Sequence, residues 1–337
     1  MAGHHVIRAA IAGLALGAFA AAAPAQADWK PSKPITIIVP WAAGGSTDQV
    51  TRVTAAELEN ALGQKVVVVN QPGGSGSIGT KSALDAPKDG YTWTAGAAKD
   101  LGAYPVSGLL DTRIGDWNLY LNVANLTVVG VNADTPYKTM DDLLKAFKAK
   151  PGEIPVATAG VNSAGHYGIE GLARAAGITY KHVSYDGGNP AVIATVSGET
   201  QVTTQLGVEQ AEMIRAKRIR PLAVLAGRPL TLDGYGDIPP ITNWIKNFPN
   251  DTNYFGIFIP KGVPAEVTAT LDKIWAEKIS KSEALKKYAA SKGALFAPEH
   301  GDAAQKAVFP AIQNAAWLLQ AGGKAKVSPD TVGIPKP

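Results

Sequence analysis

Ile35-Thr-Ile-Ile-Val39 runs straight into Pro40-Trp41-Ala42-Ala43-Gly44-Gly45-Ser46-Thr47-Asp48, and a helix-competent stretch follows until Gly63 stops it. The β-branched run predicts a strand. Paired glycines let the backbone turn tightly, and Ser, Thr and Asp favour a helix start. A strand, a Gly/Ser loop and a helix recur about 120 residues later: Ile154 to Ala157 as strand, Ala157-Thr-Ala-Gly-Val-Asn-Ser-Ala-Gly-His166 as loop, Tyr167 to Ala176 as helix. Between and beyond these units short apolar runs alternate with longer helical stretches. Val66 to Val69 is four Val in a row, as expected of a strand buried on both faces. This pattern predicts an α/β protein with mainly parallel strands, built as two similar lobes whose corresponding loops face one another. Two extended segments, near Leu126 to Asn132 and Asn253 to Pro260, read as the crossovers between lobes. The last helices, near Ser282 to Lys292 and Ala303 to Leu319, then complete the first lobe.

The N-terminus bounds the compartment. Arg8 precedes an uncharged, Ala-rich run from Ala9 to Ala23, shorter than the roughly 20 strongly apolar residues a spanning helix needs. Pro24-Ala25-Gln26-Ala27 then offers an A-x-A cleavage site, which predicts a signal peptide and a mature chain beginning at Asp28. Removing 27 of 337 residues leaves 310, enough for two domains with separate cores. The chain has no Cys. Lipidation at a lipobox, disulfides, thiol nucleophiles and zinc–thiolate sites are all excluded by that fact. A periplasmic protein is the expectation. Formal charge is 32 − 28 = +4, thinly spread. The one dense cluster, Arg215-Ala-Lys-Arg218-Ile-Arg220, falls where a helix should end, and cations are favourable there. No nucleic-acid partner is expected.

Several loops carry groups that bind small anions. In the first, Gly44 and Gly45 admit close approach, and N–H groups at the following helix start lack intrahelical partners and attract carboxylate or phosphate. The second, Asn70-Gln-Pro-Gly-Gly-Ser-Gly-Ser-Ile-Gly79, contains G-x-G-x-x-G, but a complete strand–helix unit precedes it and Asp89 lies in a turn. Both facts speak against a dinucleotide site. Ser75 stands where the esterase elbow around Ser77 needs a glycine. The third loop gathers Thr158, Asn162, Ser163 and His166 before a helix. A fourth, Ser184-Tyr-Asp-Gly-Gly-Asn-Pro190, adds Tyr185 as an aromatic wall and glycine N–H groups; Thr203-Thr-Gln205 ends a strand. The mature chain has only His166, His182 and His300, none in metal-ligand spacing. Ser163 and His166 lie three residues apart with no orienting acid evident, so they make no triad. Neither catalysis nor a cofactor or metal is expected.

At these loops the sequence resembles the Bug-type periplasmic solute-binding proteins of tripartite tricarboxylate transporters. The matching stretches run in order through nearly the whole mature chain. They include Trp29-Lys-Pro-Ser-Lys-Pro-Ile35, Val39-Pro with Gly44-Gly-Ser-Thr-Asp48, Asn70-Gln-Pro-Gly-Gly74, Asp89-Gly-Tyr91 and the whole 157–166 loop. His182-Val-Ser-Tyr185, Arg220-Pro-Leu-Ala-Val224 and Phe255-Gly-Ile-Phe-Ile-Pro260-Lys-Gly-Val-Pro264 follow. The resemblance implies a type II periplasmic-binding fold closing on a carboxylate, with residues 28–130 and 254–337 as first lobe and 131–253 as second. It further implies a monomeric receptor that feeds membrane permease subunits; the alternatives are a ligand sensor for a membrane signalling protein and an exported hydrolase, the latter opposed by the missing catalytic constellation. Carried over by position, Trp41, Ala42, Ser46, Thr47, Asp48 and Ser75 bind from the first lobe. Gly160, Asn162, Ser163, Gly165, His166, Tyr185, Gly187 and Pro190 bind from the second. Asp48 reads equally as a structural helix cap. Three departures leave the ligand open: Trp41-Ala-Ala replaces a Phe-Pro-Pro that the family often shows, Ala97-Ala98-Lys99-Asp100 replaces a Ser/Thr-rich stretch, and Gln205 replaces an Asp that can hold a ligand ammonium. Lys99 is either the partner of a second ligand carboxylate or a solvated loop lysine. The missing Asp argues against amino acids, and Trp41 with Tyr185 makes an aromatic carboxylate or an aliphatic dicarboxylate the expected ligand.

Overall fold

The computed structural model describes Met1, residues 28–248 and residues 252–337. The expected signal peptide falls on residues 1–27 and therefore lies, apart from Met1, outside the described residues. In chain order the elements of the first half are β1 (Ile35–Val39), α1 (Ser46–Leu62), β2 (Val66–Asn70), α2 (Ser77–Asp85), β3 (Thr92–Ala97), α3 (Ala98–Ser107), β4 (Trp117–Asn132), α4 (Met140–Ala149), β5 (Pro155–Thr158), α5 (Ala164–Ala176) and β6 (Lys181–Ser184). The second half adds α6 (Gly188–Val196), β7 (Val202–Leu206), α7 (Gly207–Arg215), β8 (Ile219–Val224), β9 (Leu230–Leu232), β10 (Gly236–Ile238), β11 (Thr252–Pro260), α8 (Ala265–Glu277), α9 (Glu283–Lys292), β12 (Leu295–Phe296) and α10 (Gly301–Ala321).

The sheet path is β2-β1-β3-β11-β4-β7-β5-β6, and β4 joins its two halves. Residues Trp117 to Leu126 of β4 pair with β11, whereas Thr127 to Asn132 pair with β7 and β8. A single 16-residue strand thus belongs to both lobes. Each lobe keeps parallel pairs on its far side: β1 with β2 and β3, β5 with β6 and β7. Next to β4 the pairs are antiparallel, including β11 with β3. The sheet is therefore mixed, which corrects the expectation of mainly parallel strands. A chain that must cross between lobes and return meets its own crossover strand from the opposite direction.

Each lobe has its own apolar core. Ile35, Ile37, Trp93 and Trp275 pack together on one side of the first lobe, and Val129, Phe147, Ile169 and Leu172 in the second. Another cluster joins α3, α10 and the C-terminal tail through Leu101, Tyr104, Ile312 and Ile334. Fully burying one such side chain contributes on the order of 1.5–3 kcal/mol. α3 replaces what reads in sequence as a loop. It begins at Ala98 directly where β3 ends, and Ile312 of α10 lies so close to Gly102 that a Cβ there would sit 2.5 Å from its Cγ2. Tertiary packing, not propensity, holds a helix that contains Gly102 and Pro105.

Candidate functional site: the cleft between the lobes

The loops on either side of β4 face each other across a small cavity of ≈ 30 Å³. Five helix starts line it: Ser46 and Thr47 of α1, Ala97 and Asp100 at α3, Ser163 and Ala164 at α5, Gly188 of α6, and Leu206 and Glu209 at α7. Trp41 and Phe255 add aromatic walls, and Gln205 and Ala159 complete the second-lobe side. Helix N-termini carry partial positive charge and unpaired N–H groups, so the cavity favours negative charge without any Lys, Arg or His in its lining.

Direct bonds hold the lobes together around this cavity. Ala42 N–H donates to Asp186 O (3.1 Å), Val161 N–H to Ser75 Oγ (3.2 Å) and Asn162 Nδ2 to Ser107 Oγ (2.6 Å). Ser46 donates from both N (3.1 Å) and Oγ (2.9 Å) to Glu209 Oε1. Farther out, Lys324 pairs with Glu170 at 2.6 Å and Lys292 with Glu212 at 2.8 Å.

Of the positions picked from sequence, Trp41, Ser46, Thr47, Ser163 and Gln205 meet in the cavity lining. The others do not reach it. Asp48 turns inward as a brace: its carboxylate accepts from Gly44 N–H (3.0 Å), Asn70 Nδ2 (3.0 Å) and Arg52 (2.8 and 3.0 Å). Burial alone would raise its carboxyl, but the bonds from Arg52, Gly44 and Asn70 hold it below the usual value. The structural-cap alternative fits that geometry. Ser75 has left-handed backbone (φ 54°) and spends its hydroxyl on Val161 N–H. Gly160 (φ 117°) packs against it, leaving 2.8 Å between a hypothetical Cβ and Ser75 Oγ. Ala42 and Gly187 touch each other across the lobes, and Pro190 lies inside α6.

Four further placements bear on the sequence reading. Lys99 is neither solvated nor on a loop: it is 2% exposed in α3, with Nζ 4.7 Å from the Tyr167 ring centroid. Tyr185 gives the cavity no aromatic wall, because its hydroxyl donates outward to Glu199 (2.7 Å). Burial, then that carboxylate, pushes the Tyr185 hydroxyl up to about 12. Gly165 sits in the first turn of α5, where a Cβ would stand 1.9 Å from Thr204 O, so α5 packs directly on the β7 backbone. His166 is buried away from the cavity, its ring stacked on His182 (centroids 4.7 Å apart) and its Nε2 near Lys324 (3.4 Å) and Glu170 (3.7 Å). Burial, then the neighbouring His182 and Lys324, lower its pKa to about 3, so the ring is neutral.

Ser163 is the N-cap of α5 as well as a lining residue: its Oγ accepts from His166 N–H at 3.2 Å. The hydroxyl hydrogen remains available to a second acceptor. It is 4% exposed, so it does not project freely into solvent.

Sequence reasoning missed Glu209, Asp100 and Phe255. Glu209 is half-buried among neutral donors, and desolvation raises its pKa above the usual carboxylate value despite the bonds from Ser46. With its amide oriented to satisfy both ends, Gln205 donates to Glu209 Oε2 (2.9 Å) and accepts from Ala159 N–H (2.6 Å). A Cβ on Gly188 would fall 2.0 Å from the Glu209 carboxylate, so that backbone lies directly against it. The one available signal was spacing: Glu209 follows Gln205 by four residues, across the strand-to-helix junction at Gly207. No group of three or more metal-ligating side chains occurs among the described residues, and no helix there is long and apolar enough to cross a membrane.

Two α/β lobes sharing a crossover strand and closing on helix N-termini define a type II periplasmic-binding fold. Residues 50–317 match the model of the tripartite tricarboxylate transporter family receptor, and the chain belongs to that family. It is a family of binding proteins, not enzymes. Among curated relatives, a Pseudomonas protein encoded in the tcbD–tcbE intergenic region is 32% identical over 79% of this chain and 80% of its own length. Protein BugT of Bordetella pertussis is 28% identical over 83% and 87%. A solved structure described as a periplasmic transporter has 27% identity and a TM-score of 0.76, covering 87% of this chain and 97% of that one. The periplasmic binding protein BugD superposes with a TM-score of 0.80 at 24% identity, over 88% and 99%. An R. palustris protein determined with adipate shares the fold at 23% identity, TM-score 0.78, over 88% and 99%.

Proposed function

We propose that this receptor works in the periplasm, captures a small organic carboxylate by closing its lobes, and delivers it to membrane permease subunits for uptake. The observation that carries the reading is the convergence of five helix starts from both lobes on one small cavity. Such a site attracts an anion with fixed backbone dipoles and gains its full set of donors only when closed. The lobes are residues 28–130 with 254–337, and 131–253. The change of partners along β4 between Leu126 and Thr127, a few residues before the first boundary, and the return of the chain through β11 support a division near those positions. Export by a signal peptide ending at Ala27 supplies the compartment, and the receptor acts as a monomer.

Trp41 and Phe255 in the lining, with no basic side chain beside them, favour an aromatic carboxylate over an aliphatic dicarboxylate. A second carboxylate would find Asp100 and Glu209 instead of a cation. The test is calorimetry on the mature protein with the best acid from a carboxylate panel, and with the amide of that acid. The acid is expected to bind far more tightly; equal affinity for acid and amide removes the helix-terminus mechanism.

A further inference from the structure

A groove of ≈ 450 Å³ runs between α5 and α10 and shares no lining residue with the interlobe cleft. That volume falls within the range of small-molecule sites. Tyr167, Gly171 and Arg174 line it from α5, and Ala311, Ala315 and Leu318 from α10. Intervals of three and four residues put each set on one face of its helix, so two faces rich in small residues look at each other across the gap. Interiors close such gaps when they can, because they pack to the density of organic crystals. Here the aromatic walls are fixed in place instead. Phe248 is 8% exposed and lies beside Gly171, where a Cβ would stand 3.5 Å from its Cζ. Trp317 is pinned by its indole N–H, which donates to Ile334 O (3.2 Å) and Pro335 O (3.0 Å), so the ring does not swing in to fill the space.

One end of the groove is cationic. An adjoining space of ≈ 390 Å³ shares Arg174, Trp317 and Ala321 with it and adds Lys336, whose Nζ lies 5.2 Å from the Trp317 ring centroid. No Asp or Glu side chain among the described residues lines either space. Arg174 stands in the last turn of α5, where a cation is favourable for the helix alone. That accounts for one charge, but neither for Lys336 nor for the open apolar groove beside both. A guanidinium fork and an ammonium next to an aromatic slot complement a molecule with an apolar body and one acidic head. We propose that this groove is a second binding site, for a small amphiphilic anion: an aromatic or alkyl body seated against Gly171, Phe248 and Trp317, with its head group on Arg174 and Lys336. The site is separate from the cleft and stands whatever the cleft binds.

The test is fluorescence titration of the mature protein with two probes that differ only in charge, 1-anilinonaphthalene-8-sulfonate and N-phenyl-1-naphthylamine. The sulfonate is expected to bind one to one, about two- to fivefold more tightly than the uncharged amine, the range for exposed charge pairs. Arg174→Gln is expected to remove most of that advantage and to leave the amine unaffected. Gly171→Leu places a side chain in the groove at a helical position that favours Leu over Gly. It is expected to weaken both probes at least tenfold without lowering the melting temperature. Trp41→Ala, in the cleft, is expected to change neither affinity. Wild-type affinity for both probes in a folded Gly171→Leu protein would overturn the site. Binding lost in Trp41→Ala would place the probes in the cleft and overturn it equally. Equal affinity of the two probes for the wild type, or a sulfonate preference that survives Arg174→Gln, would overturn the assignment of the head group.

Discussion

Ser163 has two jobs that can be separated. Its Oγ caps α5 by accepting from His166 N–H at 3.2 Å, with the extended backbone (φ −69°, ψ 158°) of an N-cap residue. Replacing Ser by Ala at such a position costs about 0.5–2 kcal/mol, whereas Gly costs only a few tenths. For a protein of this size one kcal/mol moves the melting temperature by roughly 2–4 °C. The same hydroxyl faces the cavity and has its hydrogen free for a ligand carboxylate. Losing a hydrogen bond to a charged group costs about 1.5–3 kcal/mol, or roughly ten- to a hundredfold in affinity. Ser163→Ala is therefore expected to lower both the melting temperature and the affinity. Ser163→Gly is expected to lower the affinity just as far while melting within about a degree of wild type. Calorimetry with the best-binding acid and thermal unfolding of the ligand-free proteins read the two effects independently. Wild-type affinity in Ser163→Gly would refute the ligand contact; an unshifted melting temperature in Ser163→Ala would refute the cap.

Gly165→Ala tests the packing of α5 on β7. Helix propensity predicts about 1 kcal/mol of stabilisation, but a Cβ 1.9 Å from a backbone oxygen predicts net destabilisation of about 1–3 kcal/mol, and a raised melting temperature would refute the contact. His166 predicts a pH effect. Its pKa falls from an ordinary value near 6.5 to about 3 in the fold, so the unfolded chain binds the extra proton and stability drops as pH falls from about 6.5 toward 3. His166→Gln should flatten that slope in unfolding titrations, and an unaltered slope would show that His166 ionises in the folded protein. X-ray scattering should give a smaller radius of gyration with saturating ligand than without. A constant value would mean that the ligand-free lobes are already closed or that the hinge lies elsewhere. Intact-mass measurement on a periplasmic extract should find a chain beginning at Asp28; a mass that retains residues 1–27 would refute the export reading.

Much of the fold was legible because its strands and helix starts are written locally. Ile35 to Val39 and Val66 to Val69 are β-branched, and Thr139 with Asp142 forms a capping box that the structure contains. α3 was not legible. It follows β3 without a loop, holds Gly102 and Pro105, and owes its helicity to α10 more than two hundred residues later. The direction of side chains was harder still. Tyr185 sits in the right loop but turns to Glu199, and His166 sits in the right helix turn but stacks on His182. Each is decided by a partner on another element, which no local pattern announces. β9, β10 and β12, two or three residues long, left no periodicity to read.

The same division explains why a cleft can be recognised long before its ligand. In the proposed function, attraction for a carboxylate falls to backbone N–H groups at helix starts, and these depend on where a helix begins more than on which residues begin it. Glycines and small hydroxyl residues mark such places in the sequence, so the site as a whole is visible. Discrimination among carboxylates falls to the few lining side chains with rings or charge: Trp41, Phe255, Asp100 and Glu209. Two of these are acids inside a field built for anions, and Glu209 already occupies donors of α1.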